Sequence, residues 1–228
     1  MLEKVFLHSS VFLLVYIRCF AMLLTLPLFS MRAVSRVAKV ALAAYMSFII
    51  FNTIDFSIYS PFITDDQAFS LHFILLAIGE ALIGVIMGFY ITVIFAAFST
   101  SGQLTAFQMG FSAASSYDSL SQIENPLMGQ FFNFIAMFVF LQTDFLQILF
   151  SRGLVASYKS LNAISLVVHG NDFVVFLMKS LTKLFADAFV ISLPIMGTLL
   201  MITLCMGLLS KAAPQMNLLS EGFPIMIL

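Results

Sequence analysis

The chain has 228 residues, of which 61% are hydrophobic and only 9% are charged. Soluble domains are usually about 45–50% apolar and about 25% charged, so this sequence cannot cover a water-facing surface with charge. The formal net charge of −1 provides no field that attracts nucleic acid, and the composition excludes disordered and collagen-like chains. These values predict an integral membrane protein.

Hydropathy divides the chain into five apolar runs, and most of them are predicted to be helical because lipid offers backbone N–H and C=O groups no other partner. A helix needs about 20 apolar residues to cross a bilayer. The first, third and fifth runs reach this length, whereas the second is short. In chain order the runs cover residues 11–31, 40–51, 71–98, 131–150 and 184–209.

Prolines and glycines within the runs predict local features of the helices. Pro27 and Pro194 should kink a helix or end it, because proline lacks the backbone N–H and clashes with the preceding turn. Gly84 and Gly88 form a GxxxG step, which predicts a close contact with another helix.

Arg18, Glu80, Asp144 and Asp187 are ionisable residues inside apolar runs. An Arg or Asp at the centre of a bilayer costs about 2.5–3.5 kcal/mol on insertion scales, so each such residue is expected to have a partner. We predict that Arg18, Glu80 and Asp187 form buried polar pairs with other helices or subunits. A role in proton relay or substrate binding is the alternative.

The basic residues of the loops do not fit five simple crossings. Residues 32–39 contain three Arg or Lys and residues 151–183 contain four, so both regions should be cytoplasmic by the positive-inside rule. Three apolar runs separate them, and three crossings would place them on opposite sides. Either the charge rule is overridden, or at least one run stays out of the bilayer and is buried against other proteins in an obligate complex.

A polar insert separates the third and fourth runs. Residues 99–125 contain seven serines, Gly102, Gly110 and no Lys or Arg, but also the apolar residues Leu104, Phe107, Met109 and Phe111. The insert is either an exposed connecting loop or a flexible plug or pore lining, in which small residues permit close packing.

The sequence predicts no enzyme, metal or cofactor. Gly110-Phe111-Ser112-Ala113 resembles part of a nucleophile motif, but it lacks a second glycine and a nearby base. No histidine has a second histidine or a cysteine three or four residues away, so the sequence lacks the usual His and Cys spacing of a zinc site.

Two segments resemble the FliR family of flagellar export-gate proteins, which are related to the SctT proteins of type III injectisomes. One is Gly102-Gln-Leu-Thr-Ala-Phe-Gln-Met-Gly-Phe-Ser112, and the other is Met206-Gly-Leu-Leu-Ser-Lys-Ala-Ala-Pro-Gln-Met-Asn217, followed by Glu221-Gly-Phe-Pro224. The resemblance covers the chain in order and implies a single FliR-like domain over residues 1–228. Relatives continue with another apolar hairpin after Gly-Phe-Pro, so this hairpin is expected to be missing.

The resemblance implies an all-α fold of kinked, membrane-type helical hairpins, assembled into a tapered hetero-oligomeric gate in which some hydrophobic helices do not span the bilayer. The implied partners are FliP-like, FliQ-like and FlhB-like subunits, membrane lipid and unfolded flagellar proteins, with no nucleic acid. The implied location is the bacterial inner membrane, at the flagellar basal body.

The resemblance also implies roles for individual residues. The family's gate-closing loop corresponds to residues 102–121, so the candidate plug or pore residues are Phe107, Gln108, Met109, Gly110 and Phe111. The candidate subunit-contact or turn residues are Pro214, Gln215, Asn217, Gly222 and Pro224. Ser119 follows Asp118 where the family often has proline, which predicts a less rigid exit from the loop.

Three alternative functions remain open on the sequence. The chain could be an injectisome export-gate subunit, since that branch is related. It could be a small ion-coupled transporter that uses Glu80 or Asp187, or a membrane scaffold with no pore.

Overall fold

The computed structural model describes Val5 and residues 8–30, 34–53, 71–110, 127–160 and 170–213. Every regular element within these ranges is helical, which confirms the predicted all-α fold class for the described residues. In chain order they are α1 (Ser9–Thr25), α2 (Pro27–Ser30), α3 (Arg36–Phe51), α4 (Leu71–Gln108), α5 (Leu127–Gln142), α6 (Phe145–Ile148), a π-helical segment (Leu149–Leu154), α7 (Val155–Ser160) and α8 (Gly170–Ala212).

The chain divides into two compact units. Unit 1 comprises Met1–Val93 and Val139–Ser180, and unit 2 comprises Ile94–Phe138 and Leu181–Leu228. Helices α4, α5 and α8 each contribute residues to both units. The single FliR-like domain over residues 1–228 stays a prediction.

Among the described residues, two single helices are long and apolar enough to cross a membrane. These are α4, with 38 residues, and α8, with 43, and they contain the third and fifth apolar runs. Pro194 lies inside α8 but does not end it. At about 1.5 Å per residue the two helices are ~57 Å and ~64 Å long, roughly twice the ~30 Å hydrocarbon core of a bilayer.

The first apolar run does not form one continuous span, contrary to its length in the sequence. Helix α1 has 17 residues and ends at Thr25, because Leu26 adopts an extended conformation with ψ of 130°. Pro27 then begins the short helix α2, as expected for a residue that lacks the N–H needed to continue α1. The predicted break at Pro27 is therefore confirmed, and the prediction that this run clearly qualifies as a span is corrected.

The fourth apolar run is also interrupted. The helical stretch Leu127–Gln142 is followed by Phe145–Tyr158 at an angle of 66°. Asp144 lies at the break with a left-handed φ of 53°, which is unfavourable for most side chains. The Thr143 hydroxyl donates to the Val139 carbonyl at 2.8 Å. A run broken in this way is either a bent span or a re-entrant segment, as the loop charges allowed.

In unit 1, α1 packs against both α3 and α4. The rings of Phe12 and Phe51 meet edge to face at 5.5 Å, so the start of α1 lies beside the end of α3 and these two helices are antiparallel. Helix α4 runs parallel to α1, because Gly84 faces Arg18 and Ala21 whereas Gly88 faces Met22 and Thr25. A Cβ atom at Gly88 would lie 2.8 Å from the Met22 carbonyl oxygen. The close contact predicted from the GxxxG step is confirmed.

Candidate functional site

Unit 1 contains a buried polar cluster centred on Arg18. Its guanidinium Nε donates to the Glu80 carboxylate at 2.5 Å, and its Nη1 donates to the Ser157 hydroxyl at 3.0 Å. The guanidinium carbon also lies 3.9 Å from the centre of the Tyr158 ring. We call these four residues the Arg18 cluster.

The Arg18 cluster joins three helices that are far apart in the sequence. Arg18 lies on α1, Glu80 on α4, and both Ser157 and Tyr158 on α7. The Tyr158 hydroxyl donates to the Val15 carbonyl at 3.2 Å, which fixes its ring against α1. Arg18 and Glu80 are 0% and 1% exposed, so the pair is enclosed by protein. Charge-assisted hydrogen bonds offset the cost of burying both ions.

The third residue predicted to form a buried polar pair lies elsewhere. Asp187 is exposed on α8, in unit 2, and does not join Arg18 and Glu80. Its pairing with another helix or subunit stays a prediction. Asp144, which the sequence places inside a run, lies at the break between α5 and α6.

A second polar contact closes the end of α1. The Thr92 hydroxyl donates to the Thr25 carbonyl at 2.8 Å and to the Gly88 carbonyl at 3.0 Å. The chain turns out of α1 after Thr25, so this carbonyl lies among the helix-end acceptors that need a partner from outside the helix. Helix α4 supplies that partner.

Unit 2 contains the described part of the predicted plug, at the point where α4 ends. We call residues 107–110 the α4 turn. Within it the Gly110 N–H donates to the Phe107 carbonyl at 3.1 Å, and Gly110 has a φ of 82°. Glycine suits this left-handed position because it has no Cβ atom. Phe111 lies outside the described residues.

The side chains of the α4 turn differ in their surroundings. Phe107 is 74% exposed, whereas Gln108 and Met109 are partly buried. The Gln108 amide nitrogen donates to the Met196 carbonyl of α8 at 3.1 Å. The exposed Phe107 ring therefore lies beside the Gln108 side chain, which is bonded to α8. Such an exposed apolar side chain can contact another chain.

Just before this turn, α4 packs closely against the start of α5. A Cβ atom at Gly102 would lie 2.5 Å from the Met128 carbonyl oxygen and 2.6 Å from the Gly129 Cα atom. The start of α5 therefore lies directly against the end of α4 within unit 2. The two glycines permit this approach, as small residues do in membrane helix contacts.

The remaining predicted site residues are not described. Pro214, Gln215, Asn217, Gly222 and Pro224 lie after residue 213, outside the described residues. Within the described ranges, no three His, Cys, Asp or Glu side chains come together in a group that could hold a metal ion.

Sequence reasoning missed several partners in these contacts. Ser157 and Tyr158 carry no pattern that links them to Arg18, which is about 140 positions away. The Thr25 and Met196 acceptors are backbone carbonyls, which any residue type provides. The available signal for Thr92 was its position two turns after Gly84 on the face of the GxxxG step.

Comparisons with known proteins identify similar chains. The family model of bacterial export proteins, family 1, matches residues 9–228. The flagellar biosynthetic protein FliR of Bacillus subtilis is 33% identical over 95% of this chain and 81% of its own length. The FliR protein of Escherichia coli is 30% identical over 92% of this chain and 77% of its own. The surface presentation of antigens protein SpaR of Shigella sonnei is 28% identical, over 68% of this chain and 59% of its own.

Proposed function

The chain belongs to the bacterial export proteins, family 1, and we propose that it is a membrane subunit of the flagellar type III protein-export gate. In this proposal it has no catalytic activity and helps to form and seal the channel for unfolded flagellar proteins. Its partners are FliP-like, FliQ-like and FlhB-like subunits, and its location is the inner membrane at the flagellar basal body.

The length and exposure of α8 are the observations that carry this proposal. The helix is ~64 Å long, about twice the thickness of the hydrocarbon core of a bilayer. Only 17% of its most apolar 18-residue stretch is buried within this chain. Residues 188–210 carry no Asp, Glu, Lys or Arg, and at ~34 Å they match the bilayer.

The preceding part of α8, residues 170–187, needs an environment other than lipid for its apolar side chains. Residues 170–187 contain four charged side chains, together with exposed apolar side chains such as Val174 and Phe185. If residues 188–210 occupy the hydrocarbon, this part extends beyond it. Exposed apolar surface outside lipid indicates a protein partner. Neighbouring subunits of an export gate would supply that partner.

The plug role is proposed for residues 102–121 of the polar insert, which include the α4 turn. Phe107 and Met109 are deformable apolar side chains that can seal a lumen against ions and still yield to a passing chain. The exposure of Phe107 (74%) and the left-handed Gly110 support this role, because they present an aromatic ring at a defined exit from α4.

The flagellar branch is favoured over the injectisome branch. The FliR relatives from Bacillus subtilis and Escherichia coli match at higher identity and over more of the chain than SpaR does. A transporter that uses Glu80 is disfavoured because the Glu80 carboxylate is enclosed and bound to Arg18.

Co-purification tests the assembly. The tagged chain, expressed with the FliP-like and FliQ-like proteins of the same bacterium, should be recovered in a stoichiometric complex with them. An ion-coupled transporter would instead be stable and bind solute alone. A stable, solute-binding chain without these partners would contradict the proposal.

Deletion of Gln108 to Ala114 tests the seal. Membranes that contain the assembled complex should leak small ions after this deletion, because the plug loses Met109 and Phe111. Gln103→Ala is the matched control, since Gln103 is exposed on the same helix. An ion-tight membrane that contains the assembled deletion complex would reject the plug role.

A further inference from the structure

A hydrogen bond in unit 2 connects two helices at the predicted plug. The Gln108 side chain, on the last residue of α4, donates from Nε2 to the carbonyl oxygen of Met196 at 3.1 Å. Met196 lies two residues after Pro194, in the interior of α8. The bond therefore ties the end of one long helix to the middle of another, 88 residues later in the sequence.

The orientation of the Gln108 amide is set by this contact. A helical carbonyl oxygen has a second lone pair, so Met196 can accept the side-chain N–H without losing its bond within α8. An amide turned the other way would place its oxygen against the carbonyl oxygen. The Oε1 atom of Gln108 is buried and has no hydrogen-bond partner among the described residues, which makes the Nε2 bond the amide's anchor.

The position of Gln108 gives this anchor a consequence for the α4 turn. Gly110, two residues later, adopts the left-handed conformation at which the chain leaves α4. Phe107, one residue earlier, points about 100° around the helix from Gln108 and is largely exposed. A bond from Gln108 to α8 therefore restrains the backbone at the end of α4, from which both the exit of the chain and the Phe107 side chain start.

We propose that Gln108 is a positioning residue that fastens the α4 turn to α8 through the Met196 carbonyl and holds Phe107 in the sealing arrangement. The sealing part of this inference rests on the proposed function. The anchor itself is a property of the chain and can be measured separately.

Hydrogen exchange in the assembled, membrane-embedded complex measures the anchor. Gln108→Leu keeps most of the side-chain volume but removes the donor, so amide exchange over residues 105–110 should become about two- to tenfold faster, as expected for one lost hydrogen bond. Gln103→Leu is the matched control on an exposed face of α4. Met196→Leu is the second control, because it retains the backbone carbonyl, and both controls should exchange as the wild type does.

Ion leakage through the same complexes measures the role in sealing. Gln108→Leu should raise the leak, whereas Gln103→Leu and Met196→Leu should not. If Gln108→Leu does not assemble, Gln108→Glu replaces it, because a carboxylate has the same shape but cannot donate to the carbonyl when ionised. Faster exchange and a raised leak in the Gln108 variant alone support the proposal.

The other outcomes separate its two parts. Wild-type exchange in an assembled Gln108 variant would overturn the anchor. Faster exchange with an unchanged leak, in a complex that does leak when residues 108–114 are deleted, would overturn the positioning role and leave the plug intact. A deletion complex that stays ion-tight would instead reject the plug of the proposed function.

Discussion

Breaking the Arg18–Glu80 pair should destabilise the protein far more than removing both of its members. Glu80→Leu leaves a guanidinium that is 0% exposed and has lost its carboxylate partner, while the Ser157 hydroxyl and the Tyr158 ring that contact it are neutral. Removing one partner of a buried ion pair costs about 3–5 kcal/mol. Arg18→Met should cost a similar amount, because it leaves the Glu80 carboxylate buried without the guanidinium that it accepts from.

The double variant Arg18→Met, Glu80→Leu should recover much of this loss. It removes both ions of the pair, and among the contacts described for Arg18 it loses the Ser157 hydrogen bond, about 1 kcal/mol, and the stacking on Tyr158, about 1–2 kcal/mol. We therefore expect it to lie within about 3 kcal/mol of the wild type, against about 6–10 kcal/mol if the single effects were additive. The coupling between Arg18 and Glu80 should be at least about 3 kcal/mol.

The free energy of unfolding, measured by denaturant titration of the purified complex in detergent, tests this cycle. Lys179→Met is the matched control, because Lys179 is an exposed charged residue of the apolar helix α8 and should change stability by no more than about 0.5 kcal/mol. Additive losses in the double variant would refute the reasoning, since they would mean that the two residues do not stabilise each other.

Three further substitutions test the packing and the turn. Gly84→Val should prevent α1 and α4 from packing, because a Cβ atom there collides with the backbone of Arg18. Gly197→Ala is its control, because a Cβ atom at Gly197 would have nothing within 4 Å. Equal yields of folded protein for the two variants would contradict the contact. Thr92→Val should cost about 1–3 kcal/mol by leaving the Thr25 carbonyl without its donor, measured by the same titration, and an unchanged midpoint would argue against this bond. Gly110→Ala should cost about 1–2 kcal/mol at its left-handed φ and raise ion leakage through the assembled gate, whereas an unchanged stability would mean that the turn does not require glycine.

The sequence predicted best those features of the fold that depend on a single residue or on one continuous segment. Apolar length predicted α4 and α8, because about 20 apolar residues favour a helix that satisfies its own backbone in lipid. Pro27 predicted the break after α1, because a missing N–H acts at its own position. Gly84 and Gly88 predicted a close helix contact, although not which helix would make it.

Features that depend on distant parts of the chain were predicted only in part. The need for Arg18 and Glu80 to be paired follows from the cost of an isolated charge, but their pairing with each other across 62 residues does not. The anchor of Gln108 could not be predicted at all, because its acceptor is a backbone carbonyl. The break at Asp144 had a weak signal, the adjacent polar residues Thr143 and Asp144 within an apolar run.

The order of residues in the Arg18 cluster also has a consequence for biosynthesis. Arg18 is made 62 residues before Glu80 and 139 residues before Ser157, so a cation is already present when the carboxylate of α4 enters the membrane. An isolated charge at the bilayer centre costs about 2.5–3.5 kcal/mol, and a partner that is made earlier in the chain can remove that cost. Ser157 and Tyr158 are made later still, so the contacts of Arg18 with α7 can form only after residue 158 has been synthesised. We therefore expect α7 to be the last of the three helices to join the Arg18 cluster.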